Sequence, residues 1–195
     1  MGGDDKFTAK LDELFETKEK IPNPLVDVTG LIGMYAHGNE PCHHVAYLYN
    51  YAGQPWKTQA RARQVAGALY NNTPGGLCGN DDCGQMSAWY AFTTLGFYPV
   101  DPASGVYVIS SPLVDKVTLK LDPKYYPGGS FTVVAKHNSP ANVYIQSATL
   151  NGKSFTRSWI THAELAAGGK LVLNMGPTPN KSWGAAPADR PGTPE

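Results

Sequence analysis

Over residues 1–100 the apolar side chains recur at helical spacing, and after Val100 they alternate. Phe7, Leu11, Leu14 and Phe15 predict an amphipathic helix from about Asp4 to Lys20. Ile21-Pro22-Asn23-Pro24 should end it, because neither proline can continue a helix. A loop follows to His37-Gly38-Asn39-Glu40. Pro41 suits the first position of a second helix, where its missing N–H would be unpaired anyway. That helix is expected to run through Ala46, Tyr47, Leu48 and Tyr51 to Gly53. Pro55 opens a third through Ala60, Val65, Ala68 and Leu69, stopped by Asn71-Asn72-Thr73-Pro74-Gly75-Gly76. A fourth starts near Asp82 and passes Met86, Trp89, Tyr90 and Phe92 to Leu95. Gly96 is its cap, and Pro99 forbids continuation.

Beyond Val100 the strand candidates are Tyr107-Val108-Ile109, Val117 to Leu121, Phe131 to Val134, Val143 to Gln146 and Leu171-Val172-Leu173. Asn151-Gly152 lies between two short runs and signals a two-residue hairpin turn. Thr161 to Leu165 reads as a short helix capped by Thr161. The expected fold class is α+β: helices over 1–100, then a small antiparallel β-rich domain over 101–184, with the boundary near Asp101 to Gly105. Pro, Ala, Asp and Gly predominate from Gly184 on, so 185–195 is expected to be a disordered tail.

Sixteen basic residues balance sixteen acidic ones. This balance offers no electrostatic case for nucleic acid or an anionic membrane surface. No stretch has the length of a membrane-spanning helix. Met1 to Lys6 shows no basic start followed by an apolar run, so no secretory signal is read here. Either the protein is cytoplasmic or its true N-terminus lies upstream. Cys42, Cys78 and Cys83 are an odd set, and a Cys78–Cys83 bridge is conceivable. Neither C-x-x-C nor H-E-x-x-H occurs, which argues against zinc. Eleven Tyr and four Trp suit sugar stacking, although core packing is the commoner use of a ring.

Two loops carry carboxylates at expected helix starts: Gly38-Asn39-Glu40-Pro41-Cys42-His43-His44 and Gly79-Asn80-Asp81-Asp82-Cys83-Gly84-Gln85. The plain reading is helix capping, since free N–H groups and the helix dipole favour negative charge there. Adjacent Asp81 and Asp82 fit that reading less well, because they repel. With Glu40, Asn39 and Asn80 they form an oxygen-rich set suited to a hard cation such as calcium, assembled from distant loops. His37, His43 and His44 could hydrogen-bond sugar hydroxyls or serve the fold. Trp56 and Lys57 could supply a stacking ring and a cation.

These two loops resemble family 92 of the glycoside hydrolases. So do Tyr47-Leu48-Tyr49-Asn50-Tyr51-Ala52-Gly53-Gln54-Pro55-Trp56-Lys57, Gly96-Phe97-Tyr98-Pro99-Val100 and Ser111-Pro112-Leu113. The likeness is dense from Gly30 to Leu119 and looser through Met175-Gly176-Pro177 and Asn180 to Gly184. It implies a calcium-dependent, inverting exo-α-mannosidase acting on mannose-containing oligosaccharides or glycoprotein glycans, including α-1,2 linkages. It also implies a secreted or periplasmic parent enzyme.

In fold, the resemblance implies the last helices of an (α/α)6 barrel followed by a β-sandwich-like segment. In the site, it implies Asp82 as general base, with Asn80 sometimes counted beside it. Glu40 and Asn39 would belong to the calcium shell, and His43, His44, Trp56, Lys57 and Gln85 to the sugar pocket. An inverting pair of carboxyls stands roughly 6.5–9.5 Å apart to admit water. Aspartate's ordinary pKa near ~3.9 makes Asp82 a base at neutral pH. The family's acid glutamate, in a Glu-Gly-Asn/Thr-x-x-Trp-Gln-Tyr context, has no counterpart before Gly38. The expectation is therefore a C-terminal part of the enzyme whose partner is the N-terminal part of the same protein, inactive by itself. The competing readings are a non-catalytic carbohydrate-binding module, recognisable by exposed coplanar rings on one β face, and a structural remnant.

Overall fold

The computed structural model describes residues 2–18 and 28–192. Helix α1 spans Asp4–Glu16 and buries Thr8, Leu11 and Phe15, one face of the expected amphipathic pattern. The proposed stop at Ile21-Pro22-Asn23-Pro24 lies outside the described residues. A small hairpin follows, β1 (Leu31–Ile32) paired with β2 (Tyr35–Ala36). Helix α2 (Pro55–Leu69) opens on its proline as expected, and α3 (Gln85–Leu95) ends on Gly96 in the left-handed conformation.

Two helix expectations need correction. Between Glu40 and Asn50 the chain forms two 3-10 turns, Glu40–Cys42 and Val45–Asn50, where an α-helix from Pro41 to Gly53 was expected. A period of three stacks Ala46 on Tyr49 and Tyr47 on Asn50. All four are buried, and the tighter winding achieves that. Helix α3 starts at Gln85 and not near Asp82, because Asp82, Cys83 and Gly84 have φ of 44°, 58° and 90°. No right-handed helix contains that run.

The remaining strands are β3 (Phe97–Tyr98), β4 (Val106–Ile109), β5 (Lys116–Lys120), β6 (Ser130–Lys136), β7 (Tyr144–Leu150), β8 (Lys153–Ser154), β9 (Trp159–Thr161) and β10 (Gly169–Gly176). They form a three-stranded sheet, β3-β4-β9, and a five-stranded sheet, β5-β6-β10-β7-β8. Asn151-Gly152 makes the β7–β8 turn as expected, with φ of 52° and 80°. Thr161 caps α4 (His162–Ala166) through a capping box with Glu164. The pairing is antiparallel except between β6 and β10, which run parallel. This departs from the all-antiparallel expectation. The last strand inserts between β6 and β7, a non-local choice that local alternation does not encode.

The three-stranded sheet is the wall between two cores. Phe97 and Ile109 are register partners and join Phe131, Ile145, Leu171 and Leu173 of the larger sheet. Tyr98 and Val108, the next pair, face the other way and join Leu11, Tyr47, Val65 and Trp89 of the helical side. Strand β3 lies before the expected 101–105 boundary yet pairs with β4 beyond it. Buried polar bonds cross the wall too: Asn50 Nδ2 donates to the carbonyls of Ile109 and Ser158 at 2.9 and 3.1 Å.

The tail also differs from expectation over 185–192. Pro187–Asp189 form a 3-10 turn, Ser158 N donates to Asp189 O at 2.8 Å, and Arg190 pairs with Asp4 at 2.6 Å. Hydrogen bonds to Ser158 and α1 hold a segment whose composition alone suggested disorder. Residues 193–195 lie outside the described residues. Among the described residues no helix is long and apolar enough to cross a membrane.

Candidate active site

The two carboxylate loops meet backbone to backbone, and glycine makes this possible. A Cβ on Gly38 would overlap Thr29 Oγ1, and one on Gly79 would lie 2.9 Å from Gly38 Cα. Without side chains at these two positions the loops close on each other. Between them lies a cleft of about 350 Å³ lined by Thr29, Gly38, Asn39, Glu40, Gly79, Asn80 and Asp82. Four of the expected site residues, Asn39, Glu40, Asn80 and Asp82, are thus brought together from two loops distant in sequence.

The cleft's electrostatics are unusual. Glu40 Oε1 is buried and has no hydrogen-bond partner among the described residues. Close contact with the Glu40 carboxyl, then its charge, raises the Asp82 pKa above the ordinary carboxylate value, with lesser help from desolvation and Asp81. Backbone strain falls at the same place, since Asp82 and Cys83 are non-glycine residues held at positive φ. Asp81 behaves differently: its Oδ1 accepts from Ser87 N at 2.9 Å, so it caps α3.

Several expected site residues are elsewhere. His43 is buried, its Nε2 bonded to His37 O at 3.0 Å and its Nδ1 facing Gln85 Nε2 at 3.1 Å. Gln85 also donates to Tyr98 OH at 3.1 Å. Both polar groups are thus engaged within the protein. His44 is half-buried and does not line the cleft. Lys57 is paired to Asp12 at 2.5 Å and, with Lys181, flanks the Trp56 ring. The first turn of α2 faces α1 and the C-terminal segment, which removes Trp56 and Lys57 from the cleft. Thr29 lines it without having been singled out, and only its proximity to Gly30 in sequence pointed there. Cys42, Cys78 and Cys83 are free thiols, so the conceivable Cys78–Cys83 bridge is not formed.

His37 is fully buried between Tyr35 OH at 2.8 Å and Tyr70 OH at 2.6 Å, and burial, then the neighbouring His43, lowers its pKa to about 3. On the β side the rings do not form an exposed coplanar face. Phe131 is in the core, and Tyr107 and Tyr144 are half-buried. Among the described residues no group of three or more His, Cys, Asp or Glu is placed to hold a metal ion.

Two carboxylates thus converge in a polar cleft beside a helix start. Residues 1–177 match the glycosyl hydrolase family 92 catalytic domain, and the chain belongs to that family. It is 42% identical to the family GH92 alpha-mannosidase BT3965 from Bacteroides thetaiotaomicron, with a TM-score of 0.88 over 98% of this chain and 25% of that one. The same enzyme has been solved with mannoimidazole bound, and there the TM-score is 0.90. The inverting mannosidase BT2199 of that bacterium is 44% identical, with a TM-score of 0.83 over 98% of this chain and 27% of that one. An uncharacterized secreted glycosidase of Arthroderma benhamiae is 34% identical over 98% of this chain and 22% of its own length. The chain therefore spans about a quarter of the length of these proteins.

Proposed function

We propose that this chain is the part of a family 92 α-mannosidase that carries the general base and the calcium-binding carboxylate. The observation that carries the reading is the meeting of Glu40 and Asp82 in one cleft, in a chain similar to two α-mannosidases. The substrate is a mannose-containing oligosaccharide or glycan, a reading supported by the mannoimidazole bound to a relative. The parent enzyme works outside the cytoplasm, as the likeness to a secreted glycosidase supports.

Asp82, on an exposed strained turn, takes the proton of the attacking water on one face of the sugar. The inverting course needs a second carboxyl to protonate the leaving oxygen, and that acid comes from a part of the enzyme outside these 195 residues. Alone, the chain has no mannosidase turnover.

The donor chemistry fits calcium. Glu40 Oε1 is an acceptor the fold does not use, and the neighbouring donors, Asn39, Asn80 and Asp82, are oxygen-bearing side chains. Glu40 and Asn39 would hold the ion, with further oxygens from backbone, water or substrate. Held there, calcium would supply a template that orients the sugar hydroxyls. The test is Asp82→Asn in the full-length enzyme, where turnover of an α-1,2-mannobiose should fall by about 10²- to 10⁴-fold. Unchanged turnover would remove Asp82 from the chemistry.

A further inference from the structure

Behind the cleft, two buried histidines tie the Glu40 loop to the start of α3. His37 precedes Gly38 by one residue, and His43 follows the Glu40–Cys42 turn by one. Asp82 stands three residues before Gln85, where α3 begins. His43 reaches Gln85 of that helix directly, and His37 reaches Met86 through Tyr70. The rings stack at 4.5 Å, and Trp89 meets His37 edge-on at 4.4 Å.

The hydrogen-bond directions follow from donor counts. Gln85 Nε2 has two protons and two partners, His43 Nδ1 and Tyr98 OH, both at 3.1 Å. His43 Nδ1 must therefore accept. Its Nε2 carries the proton and donates to His37 O at 3.0 Å. In the second chain His37 lies between Tyr35 OH at 2.8 Å and Tyr70 OH at 2.6 Å, the directions set by its tautomer, and Tyr70 OH also reaches Met86 O at 3.1 Å. His43 is neutral because its Nδ1 accepts, and burial keeps His37 neutral.

We infer that His43 and Gln85, backed by the Tyr35–His37–Tyr70 chain, are positioning residues that fix the separation of Glu40 and Asp82. His43 is tied to α3 a second time, its carbonyl accepting from Trp89 Nε1 at 3.1 Å. The links run from Gln85 and Met86, immediately after the left-handed run Asp82-Cys83-Gly84. The run is tied to that helix by its backbone, Gln85 N donating to Asp82 O and Met86 N to Asp81 O, both at 3.2 Å, so its aim follows the placement of the first turn of α3. This inference rests on the proposed roles of Glu40 and Asp82.

The test uses the full-length enzyme carrying this segment, with an aryl α-mannoside as substrate. Gln85→Ala removes the donor to His43. His43→Gln keeps a donor for His37 O and loses the acceptor for Gln85. Each should lower kcat by about ten- to a hundredfold with KM little changed, the size of effect expected when a reacting group is displaced by a fraction of an ångström to an ångström. The double variant should be no worse than either single one, because one link is removed twice. His162→Ala, at an exposed position on α4, serves as control and keeps full turnover. Should His43→Gln fail to fold, Gln85→Ala at its half-buried site carries the test. Parent-level kcat in Gln85→Ala, or losses in kcat that simply add, would overturn the clamp. If Asp82→Asn is dead while Gln85→Ala is fully active, the clamp has failed and the base stands. If Asp82→Asn is active, the base assignment has failed, and the clamp, which rests on it, is overturned with it.

Discussion

Glu164 and Glu40 each occupy the first turn of a short helix, and their surroundings could hardly differ more. Glu164 Oε2 accepts from Thr161 N at 2.9 Å and from Thr161 Oγ1 at 3.1 Å, while Oε1 accepts from Arg157 at 2.5 Å. Burial alone would raise its pKa, but the Thr161 and Arg157 contacts outweigh it and the pKa is lowered. Glu40 has one oxygen buried without a partner and a second carboxylate, Asp82, for a neighbour. Leaving a buried acceptor unpaired costs roughly 1–3 kcal/mol, more for a charge, and among the described residues Glu40 Oε1 is the one carboxylate oxygen left so. The carboxylate whose acceptors are all filled serves the fold. The one with a free oxygen, set opposite another carboxylate in a cleft, is the one proposed to serve a ligand.

The comparison can be broken first at Glu40. In the full-length enzyme Glu40→Gln should cost at least the ~10- to 100-fold in turnover or calcium affinity seen when groups that merely support a metal ligand are changed. Its thermal midpoint should hold or rise, because a like-charge contact is removed. A lower midpoint with normal turnover would make Glu40 a structural residue like Glu164. Next comes the floor of the cleft. Gly38→Ala places a Cβ against Thr29 Oγ1 and should destabilise by about 1–3 kcal/mol while parting the two loops. A denaturant midpoint and a turnover assay read both effects, and wild-type values in both would show the loops are not packed as described.

The smallest effect is at Glu164, where Glu164→Gln should lower stability by about 1 kcal/mol at neutral pH and leave turnover untouched. The sign with pH follows from the lowered folded pKa. Near pH 4 the unfolded chain binds more protons than the folded one. The contribution is therefore fully present above the ordinary value of 4.5 and is lost as pH falls below it. Parallel unfolding curves of Glu164→Gln and parent at pH 7 and pH 3 measure this, and a gap of equal size at both would refute it.

Features written in local chemistry were legible from sequence. Pro55 opening α2, Gly96 closing α3, the Asn151-Gly152 turn and the Thr161 cap all depend on one or two residues and their immediate backbone. The cleft was half legible. Carboxylates at expected helix starts, flanked by glycines, marked Glu40 and Asp82, but not that Asp81 caps the helix while Asp82 turns into the cleft. That His43, Trp56 and Lys57 do not line the cleft was not legible, because an imidazole, a ring and a cation carry no sign of which neighbour will bury them. Only packing showed that α2 turns Lys57 to Asp12 and that Gln85 takes His43. The parallel β6–β10 pair was hidden for the same reason, since its partners lie far apart in sequence.

The central claim is that Glu40 and Asp82 are held together for chemistry and not for the fold. The most direct measurement is Asp82→Asn in the full-length enzyme, with turnover and thermal midpoint read on the same sample. The account predicts turnover down by about 10²- to 10⁴-fold with the midpoint unchanged or raised. Turnover at the parent level with a lowered midpoint would contradict it.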